Sequence, residues 1–179
     1  MSTITRLRAC ALALSLVSVS PLALAAGDHG HGHGAGPDIG TPGDAAAVTR
    51  TITVTMRDNL FEPEALDIRE GETVRFLITK RGAFVHEFNI GTAAMHAAHQ
   101  QEMQGMMESG VLEPDRINHE KMGHGAHGMK HDDANSVLLE PGQSGEVIWT
   151  FPEHATLEFA CNVPGHYESG MMGGIRLSH

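Results

Sequence analysis

From Thr51 onward the chain alternates apolar and polar positions in short runs broken by turn residues, the pattern of strands with one face in a core. Thr51 to Met56 alternates, Leu60 to Arg69 is a second extended stretch interrupted by Pro63, and Glu72 to Thr79 sets Val74, Phe76 and Ile78 on one face. Phe84 to Ile90 predicts a further strand. The β pattern then stops for about 45 residues. Residues 93–109, rich in Ala, Gln, Glu and Met, predict a helix that Gly110 ends, and the Gly-rich polar run from Lys121 to Asp133 predicts a mobile loop. Strands resume at Ser136 to Glu140, Gly145 to Phe151, Thr156 to Cys161 and Gly174 to Ser178, with Pro141-Gly142 and Pro152-Glu153 as turns. Many short strands with turn punctuation predict an all-β, antiparallel β-sandwich carrying a partly helical insertion over residues 93–134.

The first 25 residues predict a cleaved export signal. Arg6 and Arg8 precede an apolar run from Ala9 to Val19, and Ala23-Leu24-Ala25 is a small-residue cleavage site. That apolar run is too short for a comfortable membrane span, and no later segment approaches the needed length, so a periplasmic protein with no membrane span is expected. Residues 26–48, with Gly-spaced His29, His31 and His33 and then a Gly/Pro/Ala stretch, predict a flexible tail ahead of a domain over 49–179.

Cleavage removes Cys10 and leaves Cys161 as the single cysteine. A lone thiol in an oxidising compartment has no internal disulfide partner, and metal ligation is one way to hold it. The acidic balance, 22 Asp plus Glu against 12 Lys plus Arg, argues against nucleic acid and anionic membranes and suits cation capture. Thirteen His and ten Met beside one Trp and one Tyr point to metal handling.

The chemistry concentrates near the C-terminus. Cys161, His166 and Met171 stand five residues apart at the end of a predicted strand, a thiolate, an imidazole and a thioether. Cys with two His and a weak axial Met is the ligand set of mononuclear copper electron-transfer sites, and His86 is the candidate for the second imidazole. Met172 competes with Met171 for the axial place. The blander readings are a structural zinc or no metal, but closed zinc sites usually carry more Cys and His and no Met. The insertion adds Met95, His96, His99, Met103, Met106, Met107, His119, Met122, His124, His127, Met129 and His131 as candidate accessory ligands. In a helix Met95, His99, Met103 and Met106 form one stripe, which suits either Cu(I) docking or packing against the sandwich. His29, His31 and His33 can converge on a divalent ion. Cleavage after Ala26 would add an amino-terminal Gly27-Asp28-His29 site for Cu(II) or Ni(II). His154 and His179 lack partners in sequence and read as surface residues.

Two blocks, Phe61 to Ile90 with His86 and Gln143 to Leu177 with Phe159-Ala-Cys161 and Cys161-x4-His166-x4-Met171, resemble the cupredoxins, the plastocyanin and azurin family. The resemblance implies a Greek-key β-sandwich, His86, Cys161 and His166 as equatorial copper ligands, and Met171 as the axial one. Many cupredoxins place Asn after the first His to tie the ligand loops together; here Glu87 stands in that place.

No Ser/His/Asp order, phosphate-cradling loop or multicopper cluster motif is present, so no catalytic residues and no enzyme activity are expected. The favoured expectation is a periplasmic protein that captures copper and contributes to copper tolerance. The layout of signal, His-rich head, core and His/Met insertion resembles the copper-tolerance members of the family. The alternative is a single-copper electron shuttle between periplasmic redox partners, and an oxidase accessory is a third reading. Copper ions and a redox or copper-transfer protein are the expected partners.

Overall fold

A computed structural model describes residues 37–124 and 133–179. Ten strands build two five-stranded sheets. The first contains β1 (Thr41–Pro42), β2 (Arg50–Arg57), β3 (Leu60–Glu62), β5 (Thr73–Lys80) and β8 (Ser144–Thr150), in the order β1-β8-β5-β2-β3. The second contains β4 (Ala65–Arg69), β6 (His86–Gly91), β7 (Ser136–Leu139), β9 (Leu157–Ala160) and β10 (Met172–Ser178), in the order β4-β10-β9-β6-β7. The expected sandwich is present, with two parallel pairings inside it: β2 with β5, and β4 with β10.

The stretch from Leu60 to Arg69 is two strands in different sheets. Pro63 cannot donate to a ladder, and the chain leaves β2 after Glu62 and joins β10 from Ala65. Residues 41–47, expected in a flexible tail, belong to the sandwich. Thr41 and Pro42 pair with Thr150 and Trp149, a short 3-10 turn follows at Ala45–Ala47, and the Trp149 indole N–H donates to the Ile39 carbonyl at 2.7 Å.

The core is aromatic. Phe61, Phe76, Phe88, Phe151 and Phe159 are each almost fully buried, and their rings meet at centroid distances of 5.0 to 6.1 Å. Burying each such side chain is worth about 1.5–3 kcal/mol. Phe159, two residues before Cys161, packs on Phe61 and Phe88 and so anchors the strand that leads to the thiol. Gly173 on the neighbouring β10 makes room for it: a Cβ there would collide with the Phe159 ring and the Glu64 carbonyl.

Helix α1 (Ala93–Glu108) starts where Thr92 caps it, its side chain accepting the Met95 N–H at 3.3 Å. It ends before Gly110, whose φ of +68° a side chain would resist. Every residue of β6 is buried, which a strand manages only when both faces are covered. Its Phe88 and Ile90 face the core, and α1 covers the alternate face with Glu87 and Asn89. A second short helix, α2 (His119–His124), runs into the start of the Lys121 to Asp133 run expected to be mobile, and Met122 packs against the core.

Candidate metal centre

Alternation along β6 and β9 decides what meets at the end of the second sheet. His86 shares the inner face of β6 with Phe88, and Cys161 follows Phe159 on the inner face of β9. His166 comes back to them on a loop tied at both ends. The Cys161 N–H donates to the Met171 carbonyl (3.1 Å), the Met171 N–H to the His166 carbonyl (3.0 Å), and the His166 N–H to the Val163 carbonyl (2.9 Å). Gly165 and Gly170, at φ +83° and +96°, supply the two bends.

Three donor atoms converge there. Cys161 Sγ lies 3.3 Å from His166 Nδ1 and 3.7 Å from His86 Nδ1, and the two Nδ1 atoms are 3.0 Å apart. A triangle with those sides has its centre about 2 Å from each corner, close to ordinary metal–imidazole and metal–thiolate bond lengths of about 2.0–2.3 Å. Cys161 and His86 are fully buried and His166 is half-buried. Met171 is fully buried behind the same loop, whereas Met172, the first residue of β10, is 36 % exposed. A thiol, two imidazoles and a buried thioether fit copper by donor chemistry.

The groups around the triangle set its protonation. Asp58 lies 3.1 Å from His86 Nε2 and also accepts the backbone N–H groups of Ala83 (2.9 Å) and Phe84 (3.3 Å). Burial works against its charge, yet these three donors and Lys80 hold its carboxyl well below the usual range. An ionised Asp58 only accepts, so His86 Nε2 carries the proton and Nδ1 presents a lone pair to the triangle. Gly82, at φ +109°, makes this possible, because a side chain there would occupy the space of the Asp58 carboxylate. Burial pushes His86 down to about 4, so it stays neutral. Burial pushes the Cys161 thiol up to about 12, against the pull of the Glu87 N–H that donates to Sγ at 3.3 Å. Metal loading therefore requires a proton to leave Cys161.

Sequence reasoning noted Glu87 only as a departure. It is the joint of the site. Its carboxylate accepts the Asn162 backbone N–H (3.2 Å) and side-chain amide (2.7 Å), the Asn89 amide (3.2 Å) and His99 Nε2 (3.0 Å). It therefore ties the first ligand strand to the Cys161 loop and both of them to α1. His96, also on α1 and buried, receives the Asn162 amide at 3.2 Å. Burial lowers the His99 imidazole's affinity for a proton, but Glu87 and Glu102 outweigh it and raise the group to about 9.

The sign of that shift gives an expectation. The His99 pair contributes its full stability below about pH 6.5, the ordinary imidazole value, and loses it as pH rises through about 9. Urea unfolding of the metal-free protein should show a stability loss across that window that is missing in His99→Gln. Equal slopes in the two proteins would refute the charged pair.

The other expected ligands are scattered. Met103 and Met106 are buried in the apolar cluster with Val111, Leu112 and Ile117, which is the packing alternative for the helical stripe. Met107 and Met122 are partly buried against the same cluster. Met95 and His99 border one cavity of about 270 Å³ with Glu102 and Asp133. His119 is exposed and bonds Glu140 at 3.2 Å. His124 ends α2. The signal segment, His29, His31, His33, His127, Met129 and His131 lie outside the described residues. His154 and His179 do have a partner, Glu70.

Residues 48–178 match the family described as copper binding proteins, plastocyanin/azurin family. The chain is 50 % identical over 145 residues to the copper-resistant cuproprotein CopI of Pseudomonas aeruginosa, covering 76 % of this chain and 80 % of that one. It is 41 % identical over 137 residues to the protein of the same name from Rubrivivax gelatinosus, covering 76 % and 71 %. Among solved structures it resembles auracyanin B, with a TM-score of 0.56 at 19 % identity over 80 % of this chain and 97 % of that one. It also resembles the reduced auracyanin of Roseiflexus castenholzii, with a TM-score of 0.54 at 20 % identity over 74 % and 99 %. These two likenesses are to the fold. Sandwich, converging Cys and His donors and family match agree: the chain belongs to the copper-binding plastocyanin/azurin family.

Proposed function

We propose that this protein captures copper in the periplasm and contributes to copper tolerance, holding one ion on His86, Cys161 and His166 with Met171 as the weak axial ligand. The observation that carries the core site is the buried triangle of Sγ and two Nδ1 atoms. Burial of Met171 and exposure of Met172 favour Met171 for the axial role. Copper bound there supplies a one-electron Cu(I)/Cu(II) couple. The chain's own residues hold the donors in place beforehand: Asp58 orients His86, the Met171 carbonyl closes the ligand loop, and Glu87 joins the loop to β6. The tolerance role is supported by the relatives named copper-resistant and by the surplus of His and Met beyond the core.

The electron-shuttle reading has one observation in its favour. Phe84 and Met172, both exposed, are sequence neighbours of two proposed ligands and offer apolar surface beside them. Anaerobic copper titration of the exported protein separates the readings. An intense visible band saturating at one equivalent, with further copper bound afterwards, supports capture. Saturation of both signals at one equivalent supports the shuttle, and absence of the band refutes the core site.

Asp58→Ala should weaken copper binding at the core about 10- to 100-fold, the usual cost of removing the partner that orients a ligating imidazole. The change also takes a partner from the buried Lys80 ammonium, 3.4 Å from Asp58, so circular dichroism of the variant checks its fold before affinities are compared. Competition with a chelator, read on the visible band, measures this. Unchanged affinity would show that Asp58 does not orient His86.

A further inference from the structure

We propose that Glu70, His154 and His179 form a second metal site, which binds one Cu(II) at the end of the sandwich remote from Cys161. Three segments far apart in sequence bring these side chains together. Glu70 follows β4, His154 lies in the loop before β9, and His179 follows β10. His154 Nδ1 is 3.1 Å from Glu70 Oε1, His179 Nδ1 is 2.7 Å from Glu70 Oε2, and the two imidazole rings are 5.4 Å apart. The three donor atoms all lie within 4.8 Å of one another.

The fold prepares this cluster. The Glu70 N–H donates to the Ser178 carbonyl at 2.9 Å, extending the parallel β4–β10 ladder and setting Glu70 beside His179. The His154 backbone N–H donates to Glu70 Oε1 at 3.0 Å. His154 is also one of two non-glycine residues with positive φ among the described residues, at +55°. That conformation is uncommon for a residue with a side chain, and here it turns both the N–H and the ring toward the same carboxylate. Glu70 is mostly covered (12 % exposed side chain), whereas the imidazoles, at 71 % and 81 %, are open to an arriving ion.

The donor set selects the ion. Two imidazoles and a carboxylate suit a divalent borderline cation, and within the first-row series affinity for such donors peaks at Cu(II). There is no thiolate or thioether in the cluster, so Cu(I) has little to gain there. The ion would be distinct from the core copper: β10 runs from the Cys161 loop to His179, and eight residues of strand from Met171 to His179 span about 25 Å.

The test uses the exported protein with its core site already loaded. Cu(II) is added under a competing chelator, and bound metal is compared with that of a Glu70→Gln/His154→Ala/His179→Ala variant. The variant is expected to bind one Cu(II) fewer per chain with its core visible band unaltered, which also certifies its fold. In the wild type, added Cu(II) should broaden the NMR signals of Glu70, His154 and Ser178, a set separate from that near the core ion. Equal stoichiometry in the two proteins, or added Cu(II) that leaves those signals sharp, would overturn the second site while leaving the core site standing. The cluster would then be only a carboxylate shared by two imidazole N–H donors.

Discussion

Cys161→Ser is expected to abolish the intense visible band and to weaken copper binding at the core by more than about 100-fold, beyond the effect of losing an outer partner. The sulfur occupies one corner of the donor triangle, 3.3 and 3.7 Å from the two imidazole nitrogens. A serine oxygen is a harder and shorter donor that does not ionise under a soft metal as a thiol does. The protein itself should stay folded. The replacement is nearly isosteric, and the Glu87 N–H that donates to Sγ gives a hydroxyl a partner, limiting the cost to about 1 kcal/mol. Copper held by the His and Met residues outside the core should survive, and equilibrium dialysis counts it. Loss of all copper from the variant would show that those residues do not bind independently.

Removing Glu87 should cost the apo fold as much as deleting a core aromatic. A fully buried carboxylate that receives four hydrogen bonds, from the Cys161 loop, its own strand and a helix, cannot be deleted without stranding its donors. Breaking a buried charged pair by deleting one partner costs about 3–5 kcal/mol, and Glu87→Ala falls in that class. Glu87→Gln keeps an oxygen for Asn162 but loses the charge that faces His99, so its cost should be smaller. Denaturant unfolding of the metal-free variants measures both. A loss below about 1 kcal/mol in Glu87→Ala would show that the joint is dispensable. The same network means that excising residues 95–131 is a poor probe of copper handling. It would remove Met103, Met106 and His99 together and strip the cover from β6.

The donor spacing and the helix boundaries were legible because they are local. Cys161, His166 and Met171 share one loop, and Gly110 marks the end of the helix by its own chemistry. Contacts between distant segments were not legible. Glu87 reads as a missing Asn until the register of β6 against β9, with Asn89 opposite Ala160, is continued two residues to set Glu87 opposite Asn162. Its other partner, His99, comes from a helix whose docking face periodicity alone does not assign. For the same reason the Met stripe looked equally like a metal face and a core face, and burial assigned Met103 and Met106 to the core. Glu70 precedes its two imidazoles by 84 and 109 residues, so His154 and His179 appeared solitary. A Pro within an extended run could have signalled the change of sheet at Pro63, because a central strand does not tolerate one.

The strand pair made by Thr41 and Pro42 bears on how this protein stays apart from its own copies. A sheet ends in a row of unsatisfied N–H and C=O groups that invites another chain to add a strand. The first sheet closes with strands of only two and three residues, and Pro42 cannot extend a ladder because it has no N–H to give. Without that short cap, the end of β8 at residues 148–150, Trp149 among them, would present an unpaired edge. Thr41 and Pro42, the first strand of the sandwich, thus shorten the edge to which another chain could add a strand.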